Sequence, residues 1–267
     1  MPSLASLNIA PLSLARGVAQ WLAGWWRIIH LGGVLLALAL SPSTWRSEGR
    51  AMIARHVVAG CAPLIPWFAM LSAVISVVLV RIVVVTAVSY GLSRYALDMV
   101  VRVLVLELLP LTTALFVAIR CTMPHAQEIG ALRSGGGFER LAREGVDTLR
   151  REVLPRAVAG LFCTFMLAAL ASVVALVVTY LSVYGFTPWG LEPYTRTVGH
   201  VFDPVVTTVF SLKIIGLGLA VALIPMASTL YDLPLARSRA SAELRGLVRL
   251  FAVILAIEVI ALVGNYY

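Results

Sequence analysis

Residues 107–156 read ELLPLTTALFVAIRCTMPHAQEIGALRSGGGFERLAREGVDTLRREVLPR. The stretch begins inside an apolar run with Glu107 three residues before Pro110, and that run ends at Arg120. Charges then crowd in: Arg133, Arg140, Arg143, Arg150 and Arg151 alternate with Glu128, Glu139, Glu144, Asp147 and Glu152. Pro155-Arg156 closes the stretch, and a second apolar run follows. A charged connection between two segments apolar enough for a bilayer is where a membrane protein meets a soluble partner.

The whole chain agrees with a membrane class. Its 267 residues are 60% hydrophobic and 13% charged, with a mean hydropathy of +0.95. Soluble domains are about 25% charged, so a soluble globular fold is excluded. The expected fold is all-α and polytopic, one transmembrane domain over residues 1–267. A net charge of +8 would point to nucleic acid in a soluble protein; here it fits basic residues retained on the cytoplasmic side. Cys61, Cys121 and Cys163 are far apart in sequence and make neither a metal spacing nor a disulfide framework. Residues 1–15 lack the basic start of a cleavable signal.

Residues 14–40 carry Trp21, Trp25 and Trp26 among Arg16, Gln20, Arg27 and His30, a mixture suited to the headgroup level. Only Leu31 to Leu40 is purely apolar, too short to cross alone. We read 14–40 as an interfacial or partly inserted helix, with a complete span as the rival. Five spans follow, at about 57–80, 99–119, 158–184, 205–230 and 250–262. Pro63 and Pro66 predict a break near the start of the first. Residues 82–88 stay apolar past Arg81, as one long helix or as a span plus an interfacial piece. Gly135-Gly136-Gly137 has no following Lys-Ser/Thr and reads as a break between helices, not a phosphate loop.

Basic residues set the orientation. The 41–56, 120–156 and 232–249 connections carry three, seven and four, against one in 184–203 and none in the tail. The basic set belongs in the cytoplasm, with the N-terminus inside and the C-terminus outside. The 81–102 connection, with three Arg on the outer side, fits this scheme least well.

Ionisable residues inside spans mark function or structural pairing. Glu107 is the foremost, with Arg102 offset from its face and Pro110 on it. Lys213 and Glu258, in the last two spans, are placed to pair with each other. Arg120 lies where it can snorkel to the cytoplasmic surface. No HExxH, GxSxG or metal-ligand His spacing occurs, so no enzyme is expected.

Segment 106–160 resembles the permease subunit of the MlaE type, the membrane part of ABC transporters that move lipids with MCE-domain partners. The resemblance is carried by Glu107 and Pro110, then Arg120, then Glu128-Ile129-Gly130, then Gly145-Val146-Asp147, then Pro155-Arg156. Asp203, Lys213 and Gly216 agree further on. The chain departs from the family pattern at Leu106, at Leu109 and over Cys121 to His125, as a divergent member would.

The resemblance implies an N-terminal interfacial helix plus five transmembrane helices, in a bacterial inner membrane. It implies two permease chains, the same or different, enclosing a lipid-accessible cavity. It places a cytoplasmic ABC ATPase on the 121–154 connection, through Glu128, Glu139, Arg140, Arg143, Glu144, Asp147, Arg150 and Arg151, and a periplasmic MCE-domain protein opposite. No cofactor is expected in this chain; ATP and Mg belong to the partner ATPase. Leu71, Val74, Val78, Leu104, Leu108 and Leu111 are candidate cavity lining, on spans adjacent to the motif. An ion-coupled secondary transporter using Glu107, Arg102, Lys213 and Glu258, or a non-transporting scaffold of an MCE complex, are the alternatives.

Overall fold

Prolines decide where the helices of this chain change pitch. A proline has no N–H for the carbonyl four residues back, and its ring collides with that carbonyl. The preceding turn can relieve both by widening to i→i+5 hydrogen bonds, the π-type turn. Four such wide-turn stretches occur among the described residues: Val101–Leu108, Ala118–Thr122, Leu149–Val153 and Ser228–Asp232. Each ends two residues before a proline: Pro110, Pro124, Pro155 and Pro234.

The computed structural model describes residues 9–45, 47–232 and 239–266; residues 1–8, 46, 233–238 and 267, Arg46 and Arg237 among them, lie outside the described residues. Helix α1 is Ile9–Leu40, and α2 is Ser47–Cys61. Helix α3 is Leu64–Ser89, followed by a turn at Tyr90–Leu92. One nearly continuous helix then contains α4 (Ser93–Val100), α5 (Leu109–Val117) and α6 (Met123–Ser134), joined by the first two wide-turn stretches. Gly136, at φ 71°, turns the chain into α7 (Gly137–Arg143), and Gly145, also at φ 71°, turns it out again. Helices α8 (Leu154–Tyr184), α9 (Leu191–Val201), α10 (Pro204–Ala227) and α11 (Arg239–Tyr266) complete the chain. The described residues contain no strand.

Among the described residues, six helical segments are long and apolar enough to cross a membrane: Trp21–Leu40, Leu64–Ser89, Tyr95–Ser134, Leu149–Tyr184, Pro204–Tyr231 and Glu243–Asn265. The all-α polytopic expectation stands, with several boundaries moved. The expected break near Pro63 separates α2 from α3, so the first span starts at residue 64 and not at 57. Arg81 does not end it: α3 runs on to Ser89, because one arginine on the exposed side of a helix breaks no backbone hydrogen bond. The connection expected over 81–102 therefore shrinks to residues 90–92, without a basic residue. The first part of the 121–154 connection is no loop but the direct continuation of the span. Residues 21–40 also have the length of a span, so length alone does not separate the two readings of 14–40.

Helix α8 is the centre, packed against α2, α3, α5 and α10. It presents a buried face of small residues, Gly160, Thr164, Ala168, Ala171 and Ala175. In lipid, where apolar tails compete with apolar side chains, close backbone approach is the main source of helix association. Gly160 makes the closest crossing: a Cβ there would stand 2.6 Å from Thr122 Cγ2 and 3.6 Å from Ala222 Cα. Phe68 of α3 meets Phe116 of α5, ring centres 4.8 Å apart. Amphipathic α9 is held to α8 by the Tyr194 hydroxyl, which donates to the Leu176 carbonyl at 2.7 Å. Beside it Phe186 and Trp189 are fully exposed, as aromatic rings at headgroup level are.

Candidate functional site

Pro110 creates a vacancy that another helix fills. The carbonyl it cannot serve, four residues back, is that of Leu106. Lys213, entering from α10, donates to it at 2.9 Å. The same ammonium pairs with Glu107 Oε2 and, at 2.8 Å, with Glu258 Oε1 of α11. An ammonium has three hydrogens, and these three acceptors use them. Asn265 Nδ2 reaches the other oxygen of Glu107 at 3.4 Å. The Lys213 side chain is completely enclosed, and the two carboxylates are 15% and 12% exposed. The Glu-x-x-Pro pattern and the lysine a hundred residues away thus form one unit, in which proline empties a carbonyl and glutamate supplies charge for a single cation.

The sequence expectation that Lys213 and Glu258 pair is met; Glu107 joins them. Arg102 does not. Five residues from Glu107 it points elsewhere, and its Nε donates to Asp98 Oδ2 at 3.0 Å, one turn back on its own helix. Arg120 is exposed.

The triad lies toward the end of the bundle that carries the 90–92 turn and the C-terminus. Lys213 is nine residues into α10, about 13 Å at 1.5 Å per residue. At the opposite end the segment Tyr95–Ser134, 40 residues long, runs about 60 Å, roughly twice the hydrocarbon thickness. The charged α6, and α7 after it, are the part of the chain that such a length would carry beyond the apolar slab. Arg156, at the start of α8, ties this projection down. Its Nη1 donates to Glu152 Oε2 at 2.6 Å and to the Glu152 carbonyl at 2.8 Å, and its Nε donates to Glu128 Oε2 at 3.3 Å. Arg156 is buried while Glu128 is largely exposed. Its anchoring role was not singled out from sequence, although its position opening an apolar helix beside Glu152 was available as a signal.

Beyond that anchor, Glu139, Arg140, Arg143 and Glu144 are exposed on and just after α7. Glu139 and Arg143 face each other at 3.9 Å. Asp147 accepts from the Leu149 N–H at 3.0 Å, capping the helix that leads into α8. Arg150 and Arg151 line an open cavity of about 590 Å³ with Asp147, Gly49 and Met52, between this connection and α2.

The candidate lining residues do not share one surface. Leu71, Val74 and Val78 lie on the exposed side of α3, Leu104 is buried in the core, and Leu108 and Leu111 are half-buried against it. A grouping that sequence did not show is that of the cysteines. Cys61, Cys121 and Cys163, all buried, come from three helical segments packed together, and the Cys61 thiol donates to the Ala159 carbonyl, one turn before Cys163, at 4.0 Å. His125 Nδ1 stands 3.9 Å from Cys121 Sγ. Among the described residues no three His, Cys, Asp or Glu side chains are placed to hold a metal ion.

No curated protein matches this chain. The family model described as Permease MlaE matches residues 53–263. That range takes in the triad, the Arg156 anchor and the projecting connection alike. The chain is thus a membrane transport subunit without catalytic machinery of its own, and it belongs to the MlaE permease family.

Proposed function

We propose that this chain works as the permease of an ABC-type lipid transporter, with residues 121–154 as the docking surface for a cytoplasmic ATPase. The observation that carries the reading is that α6 and α7, tied to the start of α8 through Arg156, end in exposed charges of both signs. An isolated exposed pair such as Glu139–Arg143 contributes little to folding, so these residues are free to serve a partner. Glu139, Arg140, Arg143, Glu144, Arg150 and Arg151 form the docking surface; Glu128 and Asp147 hold its shape.

The basic-residue count supports the orientation, and membership of the family supports the membrane and the partners. The docking end is cytoplasmic in a bacterial inner membrane, the C-terminus is periplasmic, and an MCE-domain protein sits on the periplasmic face. Residues 1–267 form one membrane domain, and a second permease chain completes the cavity. The exposed apolar side of α3, with Leu71, Val74 and Val78, faces either lipid or that second chain. Nucleotide binding in the ATPase moves α6 and α7, and Arg156 passes the movement to α8, the central helix. Lipid is driven only if the two packings bind it with different affinity.

The test is the double charge reversal Glu139→Lys with Glu144→Lys. We expect it to leave folding unchanged and to abolish co-purification of the ATPase and lipid flux in liposomes. Retained ATPase binding with normal flux would refute the docking assignment. Flux driven by an ion gradient with no ATPase present would support the secondary-transporter reading instead.

A further inference from the structure

The Glu107–Lys213–Glu258 triad is short of both charge and hydrogen. Two carboxylates against one ammonium leave a formal charge of −1 among membrane spans. Lys213 has no hydrogen left to give. Yet Glu258 Oε2 and Asn265 Oδ1 are buried with no partner, and Glu107 Oε1 has only the 3.4 Å contact from Asn265. Exchanging the amide nitrogen and oxygen of Asn265, an assignment made from the hydrogen-bond network, would set two oxygens against each other at Glu107. Both carboxyl groups are held on the one Lys213 ammonium, through Glu107 Oε2 and Glu258 Oε1, so the two acids sit side by side with a single cation between them. Among the described residues, Lys213 of α10 is the only cation paired with either; Arg102, on the helix of Glu107, is engaged by Asp98.

A water molecule would supply hydrogens without charge. A sodium ion would supply charge without hydrogens. A proton supplies both. We propose that the triad is a proton-binding site, with one proton held by the Glu107–Glu258 pair, so that the folded permease keeps a neutral Glu–Lys–Glu set between three helices. The proton belongs to the pair as a unit, as for any two strongly coupled acids. Its departure leaves an uncompensated charge where α10, α11 and the 93–134 helix meet, so occupancy of the site governs how tightly these helices associate. This inference uses the geometry of the triad alone and does not rest on the transport reading.

Infrared spectroscopy of the full-length permease in lipid nanodiscs at neutral pH tests it. The expected result is one protonated-carboxyl carbonyl band that shifts in D2O. Glu258→Gln and Glu107→Gln should each remove that band while leaving the melting temperature unchanged, because either change replaces a shared acid with a neutral amide and leaves one carboxylate for Lys213. The double variant, which strands the ammonium, should melt well below both. Absence of the band in the wild-type protein would overturn the proposal. So would single variants that lose stability, or a wild-type melting temperature that rises in sodium chloride but not in choline chloride, the mark of a bound sodium ion.

Discussion

Replacing Lys213 with methionine keeps most of the aliphatic volume of the side chain and deletes its charge. Three acceptors lose their hydrogen at once: the Leu106 carbonyl, Glu107 Oε2 and Glu258 Oε1. A buried acceptor left unpaired costs about 1–3 kcal/mol, and removing one partner of a buried ion pair costs about 3–5 kcal/mol. These contributions overlap, so the expected loss is about 3–5 kcal/mol in total. For a chain of this size that corresponds to a fall in melting temperature on the order of 10 °C. Tryptophan fluorescence during thermal unfolding in detergent reads it, since Trp25 is partly buried against the core. The triple variant Lys213→Met, Glu107→Gln, Glu258→Gln removes all formal charge together and should recover most of the loss, as uncharged replacement of whole buried ion clusters does. A Lys213→Met protein within about 1 kcal/mol of wild type, the range of an ordinary substitution, would refute the reasoning, because the ammonium would then not be holding the three helices.

Gly160→Val should cost about 1–3 kcal/mol through overpacking, read as a lowered melting temperature: Thr122, β-branched and bonded to the Ala118 carbonyl at 3.3 Å, cannot swing away. Tyr194 is pushed up to about 12, by burial first and by Tyr184 second. The folded chain therefore keeps a proton that the unfolded chain loses, and stability declines as pH rises from about 10 to about 12; Tyr194→Phe should remove that slope from melts recorded against pH. Diamide treatment of the purified protein should join Cys163 to Cys121 or Cys61 within one chain, detected as a loss of two hydrogens in the intact mass. Three thiols still free after treatment would contradict their grouping.

Much of this was legible in the sequence because the bilayer is a demanding solvent. A charge among apolar neighbours must find a partner, so Glu107, Lys213 and Glu258 stood out. The five spans were legible from hydropathy in the same way, and the family from Glu107, Pro110, Glu128 and Asp147. What stayed hidden is orientation around each helix axis. α3 is apolar on every side, so nothing in its sequence says that Leu71, Val74 and Val78 face outward while Phe68 faces in. Arg102, offset from the face of Glu107 by its five-residue spacing, finds its partner elsewhere. That partner, Asp98, sits at the i,i+4 spacing that does meet on a helix surface. The cysteines are separated by 60 and 42 residues, and only the packing of α2 and the 93–134 helix against α8 brings them together.

The carbonyl that Pro110 leaves to Lys213 has a mechanical consequence. The irregular pitch of the 93–134 helix is completed by a side chain from elsewhere in the fold, and that side chain also grips α11. Straightening any of these three helices, or sliding one past another, would strip the lysine of an acceptor in a place where no water can substitute. They should travel as a single strut. Whatever opens and closes this protein must then pivot at a looser seam, such as that of α1, and not through the middle of the knot.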